Sequence, residues 1–133
     1  MGEPIVFRVH GLPVSQGSTR AFMVKGRPKI THDSAKVRPW RQDVAMMARA
    51  AGATMQPGPV VLSVVFYLPR PKRPDYPEPA VRPDLDKLLR AILDALTGIA
   101  WKDDGQVVKV RGRKRYASDA EPVGASVRIG GDA

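Results

Sequence analysis

Apolar and polar residues alternate along several short segments of this chain, as in β-strands with one buried face. The segment nearest the N-terminus places Ile5, Phe7 and Val9 on one side. A later run is continuously β-branched and ends in aromatic residues, which predicts a central strand covered on both faces. Two more strands are predicted in the last third of the chain. The predicted strands are residues 4–11, 59–68, 106–116 and 123–129.

Two other segments repeat their apolar residues with the period of a helix. The first follows Asp33 or Ser34, either of which can cap it, and runs to about Ala51. Trp40 lies on its apolar stripe and is therefore predicted to be a core residue, not a base-stacking platform. The second helix carries leucine or isoleucine at positions i, i+3, i+4, i+7, i+8 and i+11, counted from Leu85.

Proline and glycine mark the connections between these elements. Residues 12–32 are predicted to form a loop or an irregular hairpin. Residues 69–83, here termed the proline-rich loop, hold six prolines and are predicted to be extended and basic. Residues 130–133 are expected to be a frayed tail. The order β, α, β, long loop, α, β, β predicts a single α+β domain, residues 1–133, with a mixed sheet packed with two main helices.

The net charge of +9 on 133 residues is the strongest signal in the composition. It favours a polyanionic partner, with nucleic acid ahead of a membrane surface, because no basic amphipathic helix is apparent. The absence of cysteine excludes thiolate metal sites, and two histidines exclude a multi-histidine zinc site. Since the chain shows no signal peptide and no apolar run of membrane-spanning length, we expect a cytoplasmic protein without a membrane partner.

Cations concentrate in the 12–32 segment, the proline-rich loop and the strand 106–116, where alternate positions from Lys109 to Arg115 share one face. A solvated basic surface is one interpretation of these segments, and contact with nucleic-acid phosphates is the other. The candidate nucleic-acid-binding residues are Arg20, Lys25, Arg70, Lys72, Arg73, Arg82, Arg111, Arg113 and Lys114.

Acidic residues gather in the stretch 82–104, RPDLDKLLRAILDALTGIAWKDD, in and around the second helix. Asp84 and Asp86 are two residues apart, so an extended chain after Pro83 would point both carboxylates the same way. Asp104 lies in the turn before the next strand. Three carboxylates from a helix start and a strand start can converge on a hard divalent cation, and magnesium prefers such oxygen ligands. The sequence therefore predicts a metal site for Mg²⁺, with Mn²⁺ also suited to the same ligands.

Cationic side chains accompany these acids. Lys87 and Arg90 lie close to Asp86 along the helix and are candidates for stabilising charge on a phosphate. The alternative is structural, because Asp86–Arg90 and Arg90–Asp94 have the i, i+4 spacing of ion pairs, and Asp84 could merely cap the helix. A bare D-x-D motif is weak, so from spacing alone both interpretations stay open.

The order and spacing of these elements resemble the RusA family of Holliday-junction endonucleases, many of them phage-borne. RPDLDKLLRAILDALTG followed by WKDDGQVV is similar to the core of that family, and VHGLPVSQGSTRAF and WRQDVA resemble its phage-type members. The resemblance covers about residues 5–116. It implies a small homodimeric, magnesium-dependent enzyme of a bacterial or phage-infected cell. Such an enzyme resolves four-way DNA junctions by paired symmetric nicks and needs no organic cofactor.

Carried over residue by residue, the resemblance implies that Asp84, Asp86 and Asp104 bind the metal. Asp94 matches a recurrent acid of the family. The segment between Asp94 and Asp104 is one residue shorter than in some relatives. Asp103 is therefore a second candidate for the last ligand, with Asp104 favoured.

The resemblance also implies roles for the cations Lys87 and Arg90 of the second helix. Arg90 stands where some members carry a functional lysine. Arginine keeps the charge but does not readily give up a proton, so an electrostatic role is implied without acid–base chemistry. Lys87 replaces an asparagine of some members and is expected to share this role. Two other functions stay open, which are a basic nucleic-acid-binding protein without catalysis and a nuclease that acts on flaps, forks or duplex DNA.

Overall fold

The secondary structure follows the predicted order and adds a hairpin between the first strand and the first helix. The computed structural model describes residues 3–17, 19–32 and 35–131, and of residues 19–24 and 28–32 it describes the backbone. The elements are β1 Ile5–His10, β2 Thr19–Val24, β3 Arg27–His32, α1 Val37–Ala50, β4 Val60–Leu68, α2 Leu85–Leu96, β5 Val107–Tyr116 and β6 Gly124–Ile129.

Four of the strands form one mixed sheet in the spatial order β1-β6-β4-β5. β1 and β4 both pair antiparallel with β6, whereas β4 pairs parallel with β5. The long β-branched run thus forms an interior strand, as predicted. A parallel pair needs a crossover connection, and here residues 69–106 provide it, with the proline-rich loop and α2.

β2 and β3 form a separate antiparallel hairpin with a regular register, so the hairpin alternative for residues 12–32 holds for residues 19–32, while residues 12–17 carry no strand. Its two turn residues, Lys25 and Gly26, both have positive φ, at 51° and 74°. Positive φ at both central residues is what a two-residue type I′ turn requires, and glycine adopts it without steric cost.

Both helices bury an apolar stripe against one face of the sheet and pack against each other. In α1 the indole of Trp40 is only 4% exposed, so its prediction as a core residue is confirmed. Lys36 occupies the N-cap of α1 and makes no side-chain cap hydrogen bond. Asp33 and Ser34, predicted as capping residues, lie outside the described residues. In α2 the residues Leu88, Ile92 and Leu96 of the predicted stripe are fully buried, and its other three members are partly buried.

The two faces of the sheet differ in cover. Alternate β4 residues such as Leu62 and Phe66 are fully buried under the helices. Their neighbours Val61, Ser63 and Val65 are only half-buried, because no helix packs on their side within the described part of the chain. The expectation that this strand is covered on both faces is therefore wrong along most of its length. By the sheet register, the outer face consists of Val6, Arg8, His10, Val61, Ser63, Val65, Tyr67, Lys109, Arg111, Arg113, Arg115, Ser126 and Arg128.

A single hydrophobic core joins α1, α2 and the four-stranded sheet, so the predicted α+β arrangement is confirmed. At the end of the chain the amide of Gly130 donates to the Val61 carbonyl at 2.7 Å. Among the described residues, neither helix is long and apolar enough to cross a membrane.

Candidate active site

A pocket of about 290 Å³ lies along the solvent side of α2. Asp86, Arg90 and Asp94 follow one another at i, i+4 and i+8, so a single side of the helix presents them. Asp104 joins them from a short 3-10 turn, Asp104–Gln106, that precedes β5. The pocket is lined by Asp86, Lys87, Arg90, Leu93, Asp94 and Asp104. Three carboxylates and two cations therefore share one concave surface.

Asp84 occupies the N-cap of α2 with an extended backbone, at φ −70° and ψ 138°. Its carboxylate makes no capping hydrogen bond, so the simple helix-cap interpretation does not account for it. Oδ2 of Asp84 lies 3.6 Å from Nζ of Lys87, and both side chains remain partly exposed, at 54% and 37%. Asp84 is not among the residues that line the pocket, although it directly precedes the helix that does.

The structural alternative for the charged stripe of α2 requires ion pairs between successive turns. Within the described part of the chain, the pairs closer than 4 Å are Lys87–Asp84 and Arg113–Glu78. The i, i+4 pairs that Arg90 could form with Asp86 and Asp94 are therefore not formed, whereas Lys87 and Asp84 do form a local pair at i, i+3. The charges of Asp86, Arg90 and Asp94 border the pocket without neutralising one another in contact.

The segment before the hairpin lies against α2 and positions two pocket residues. The amide of Gln16 donates to the Lys87 carbonyl at 3.0 Å, and Nε2 of Gln16 donates to Oδ2 of Asp94. Gly17 has a φ of 99°, and a Cβ there would lie 2.6 Å from Nη1 of Arg90. Sequence reasoning assigned no role to Gln16. Its place in V-S-Q-G, within the family resemblance, was the available signal.

Hydrogen bonds in the 3-10 turn distinguish the two adjacent aspartates. Oδ1 of Asp103 accepts the amide of Gly105 at 2.9 Å, and Oε1 of Gln106 accepts the amide of Asp103 at 3.1 Å, which forms a capping box. Nε2 of Gln106 also donates to the Gln56 carbonyl at 2.8 Å, which ties the turn to the segment before β4. The Asp103 side chain is thus used within the turn, whereas Asp104 borders the pocket.

Trp101 anchors the segment between α2 and this turn. Its side chain is fully buried, and its Nε1 donates to Oγ1 of Thr97 at 3.0 Å. The Thr97 hydroxyl in turn donates to the Leu93 carbonyl at 2.8 Å, in the last turn of α2. Because Trp101 is held against the end of the helix, Asp104 reaches the pocket from that end, whereas Asp86 lies in the first turn.

This arrangement sets how the acids can act together. Asp86 and Asp94 are eight residues apart on α2, which is about 12 Å along the helix axis, too far for both to bind one ion. Among the described side chains, no three from histidine, cysteine, aspartate or glutamate lie close enough to hold one metal. The structure thus brings Asp86, Asp94 and Asp104 into one elongated pocket. Asp84 lies outside this pocket, at the N-cap of α2.

Lys114 of β5 holds the chain segment that leads into Asp84. Its Nζ donates to the Val81 carbonyl at 2.6 Å and to the Pro83 carbonyl at 3.0 Å. In the parallel register Lys114 lies beside Phe66, on the side of the sheet that the helices cover. Lys114 was predicted to contact nucleic acid. In the structure its ammonium group fixes the end of the proline-rich loop.

Among the side chains that the structure describes, the other predicted nucleic-acid contacts are not part of the pocket lining. Arg111 and Arg113 belong to the outer face, where Nη2 of Arg113 lies 2.6 Å from Oε1 of Glu78. The hydrogen bond and charge of Arg113 hold the pKa of the Glu78 carboxyl below its ordinary value. Arg20 has a side chain outside the described residues. The remaining cations, all exposed, are Lys25, Arg70, Lys72, Arg73 and Arg82.

A second, larger cleft of about 590 Å³ lies between α1 and α2. Arg38, Arg41 and Gln42 line it from α1, while Asp94 and Thr97 line it from the α2 side. Asp94 thus borders both the cleft and the acidic pocket. Sequence reasoning missed the two arginines, although their i, i+3 spacing on the polar side of a helix was visible. They add positive charge beside the carboxylates.

Comparison with known proteins covers almost all of this structure. The family model of endodeoxyribonuclease RusA matches residues 11–129, which include both helices and the whole pocket. The uncharacterized protein YqaN of Bacillus subtilis (strain 168) is 32% identical over 128 residues. The match spans 86% of this chain and 89% of that relative.

Proposed function

The chain belongs to the RusA endodeoxyribonuclease family, and from this membership we propose that it resolves four-way DNA junctions by paired symmetric nicks. The observation that carries the proposal is the pocket on α2, where Asp86, Asp94 and Asp104 adjoin two cations in a chain of net charge +9. Carboxylates oppose the binding of a polyanion. Their concentration at one concave site therefore favours chemistry over binding alone.

Members of this family generally depend on a divalent metal ion, and the donors of the pocket suit one. They are carboxylate oxygens, and magnesium commonly takes one or two of these together with water and substrate phosphate. We expect Asp84 and Asp86, at the start of α2, and Asp104 to be the ligands of Mg²⁺, with Mn²⁺ as a substitute. Because these three carboxylates do not converge in this structure, they would have to move closer together to share one ion. An ion bound there supplies an activated water and stabilises the charge that develops on the phosphate.

The cations of α2 have a separate task in this proposal. Lys87 and Arg90 line the pocket and present positive charge where a bound phosphodiester accumulates negative charge. Arginine does not readily give up a proton, so the proposed contribution of Arg90 is electrostatic. Gln16 and Gly17 allow the preceding segment to lie close against α2, which restricts the positions of Asp94 and Arg90.

A homodimer follows from the symmetry of the proposed substrate. A four-way junction has two-fold symmetry, so two equivalent nicks require two pockets related by the same axis. The positive charge of each chain attracts DNA over long range, which makes binding dependent on salt. From the family we expect the activity in the cytoplasm of a bacterial or phage-infected cell. A nuclease for flaps, forks or duplex DNA is the alternative with the same pocket.

The decisive experiment compares a labelled synthetic four-way junction with linear duplex of equal length, each with and without magnesium. The variants are Asp84→Asn and Asp86→Asn, and Asp119→Asn is the matched control because it removes an exposed acid outside the pocket. We expect paired, magnesium-dependent nicks on the junction only, their loss in the first two variants with DNA binding retained, and normal cleavage by the control.

Other outcomes separate the alternatives. Equal cleavage of junction and duplex would retain the active site and reject junction specificity. Binding without cleavage in both metals, across several junction sequences, would identify a nucleic-acid-binding protein without catalysis. If Asp84→Asn and Asp86→Asn lost folding together with binding, the two carboxylates would have a structural role.

A further inference from the structure

The charged residues at the outward positions of the sheet are all basic. Its outward positions carry no aspartate or glutamate in any of the four strands. The cations come from three strands, and all except the half-buried Arg8 are exposed. They are Arg8 on β1, Arg128 on β6, and Lys109, Arg111, Arg113 and Arg115 on β5. This surface lies across the sheet from α2, so it is separate from the acidic pocket.

The cations on β5 form a regular row. Alternate strand residues are about 6.7 Å apart, so Lys109 to Arg115 extends over about 20 Å. One strand of duplex DNA presents a phosphate for about every 3.4 Å of helix axis, so the row matches the length of about six phosphates. Arg111 and Arg128 both lie beside Ser63 in the register, on opposite sides of β4. The positive charge therefore extends across the sheet as well as along its edge.

The aromatic content of the outer face distinguishes between forms of nucleic acid. Single strands are usually bound by stacking their bases on exposed aromatic rings. Tyr67 is the one aromatic residue at the outward positions of β1, β4, β5 and β6 apart from His10. It is 6% exposed and is covered by the Arg8 guanidinium, 4.7 Å from its ring centre. A surface with cations and no open ring fits the sugar-phosphate backbone of a duplex.

Among the described residues, an acid of the proline-rich loop reaches this surface from outside the sheet. Glu78, in the proline-rich loop, contacts Arg113 at 2.6 Å and is itself exposed. It neutralises one cation in the middle of the β5 row. Because the loop leads directly to Asp84, the same segment connects the outer face with the active site.

We propose that the outer face is a second DNA-binding surface, which holds the backbone of a duplex segment on the side of the sheet opposite the active-site pocket. The proposal rests on the proposed function in taking DNA as the partner. A second copy of this basic chain is disfavoured as the occupant because its charge would oppose that of the outer face. One protomer therefore contacts two separate duplex segments, and a branched substrate supplies two arms where a linear one supplies a single segment.

The test measures equilibrium binding to a four-way junction at several salt concentrations, in the presence of EDTA so that no cleavage occurs. The double variant Arg111→Gln/Arg115→Gln removes two outer-face cations. The matched control Lys36→Gln/Arg49→Gln removes two exposed cations of the α1 region. Two lost phosphate contacts should make the slope of log K against log salt less negative by about 1.8, while the control keeps the wild-type slope.

A gain of binding provides the complementary result. Glu78→Gln releases Arg113 and should make the slope more negative by about 0.9, with tighter binding at low salt. This increase cannot result from misfolding. A wild-type slope in both Arg111→Gln/Arg115→Gln and Glu78→Gln would overturn the proposal. Loss of binding to phosphatidylserine vesicles in the double variant, with an unchanged slope for DNA, would assign the surface to membranes and also overturn it.

Failure of this proposal is distinguishable from failure of the proposed function. Wild-type protein that cuts no DNA with magnesium would reject the nuclease, yet the change of slope in EDTA would still show the second surface. Cleavage together with unchanged salt slopes would support the nuclease and reject the second DNA-binding surface.

Discussion

The active-site pocket and the outer face carry charge in contrasting ways. In the pocket, acids and cations alternate, and hydrogen bonds from distant segments, such as those of Gln16 and Lys114, hold the chain around them. On the outer face, cations such as Arg111 and Arg115 are placed only by the period of a strand. Bond cleavage needs groups in fixed positions, whereas attraction of a polyanion needs charge of the correct sign. The pocket residues are thus held in place in the way that the proposed cleavage requires, and the outer-face cations are arranged as the proposed binding of DNA requires.

The largest expected effect is on the pocket carboxylate that the 3-10 turn presents. Asp104→Ala should lower the single-turnover rate of junction cleavage by about 10²–10³-fold, which is typical when a group that stabilises a transition state is removed. Stability should change little, because the Asp104 carboxylate makes no hydrogen bond among the described residues.

The matched variant is Asp103→Ala. It removes the cap of the turn and should cost about 1 kcal/mol of the free energy of unfolding, with less than about a tenfold loss of rate. Cleavage rates and chemical denaturation measure both effects. If Asp103→Ala abolished cleavage while Asp104→Ala did not, the assignment of the two acids would be reversed.

Lys114 and Arg115 are adjacent on β5 and point to opposite faces of the sheet, so variants of these two residues test the comparison directly. Lys114→Met removes the hydrogen bonds to the carbonyls of Val81 and Pro83, so the approach to Asp84 loosens. We expect kcat to fall about tenfold while the dissociation constant for the junction changes less than about twofold.

Arg115→Met should do the reverse, with weaker binding, a less negative salt slope by about 0.9 and an unchanged kcat. Lys114→Arg is a conservative control that retains a donor and should recover part of the rate. If Lys114→Met and Arg115→Met changed kcat and the dissociation constant in the same proportion, the two faces of β5 would not have separate roles.

A smaller effect concerns the close approach of the N-terminal segment to α2. Gly17→Ala introduces a Cβ 2.6 Å from Nη1 of Arg90, at a backbone φ of 99°. The strained backbone should cost about 1–3 kcal/mol of stability. Because Arg90 must move, the cleavage rate should also fall, measured at a temperature where the variant is fully folded. Gly58→Ala has positive φ but open space around it, so it should lose stability without loss of rate.

The smallest effect is a dependence of stability on pH through Glu78. Since Arg113 lowers the pKa of this carboxyl in the folded state, the pair stabilises the protein above the ordinary pKa. That contribution is lost as the pH falls through the lowered pKa. The difference in unfolding free energy between wild type and Glu78→Gln should therefore disappear as the pH is lowered from neutral through the lowered pKa of Glu78. A difference that stayed constant over this range would contradict the assignment.

Much of the fold could be predicted from the periodicity of apolar and charged residues along the chain. The apolar stripe of α2, the interior position of β4 and the shared face of Lys109 to Arg115 were all predicted from spacing along the chain, and the structure has them. Spacing also predicted β4 to be covered on both faces, which is wrong. β-branched residues fit a half-open surface as well as a closed one, so they cannot show where helices pack.

The candidate site depended more on contacts between distant segments. The family resemblance identified Asp84, Asp86 and Asp104. Their relative positions, however, depend on the path that the connection 69–106 takes between β4 and β5. The hydrogen bond from Gln16 to Asp94 joins segments 78 residues apart, and that from Lys114 to Pro83 joins segments 31 apart. Neither has a signal in local spacing, because a neutral amide and one lysine among many look like ordinary surface residues.

The parallel pairing of β4 with β5 has a consequence for how this protein folds. Long-range parallel pairing is slow, because the intervening chain must close before its contacts form. Until β5 docks, the chain lacks the Lys114 anchor, and the turn that carries Asp104 has no sheet to follow. A partly folded molecule would keep its full positive charge and its attraction for DNA, but its pocket would not be assembled. Cleavage activity should thus appear only with the final cooperative step of folding, later than affinity for DNA.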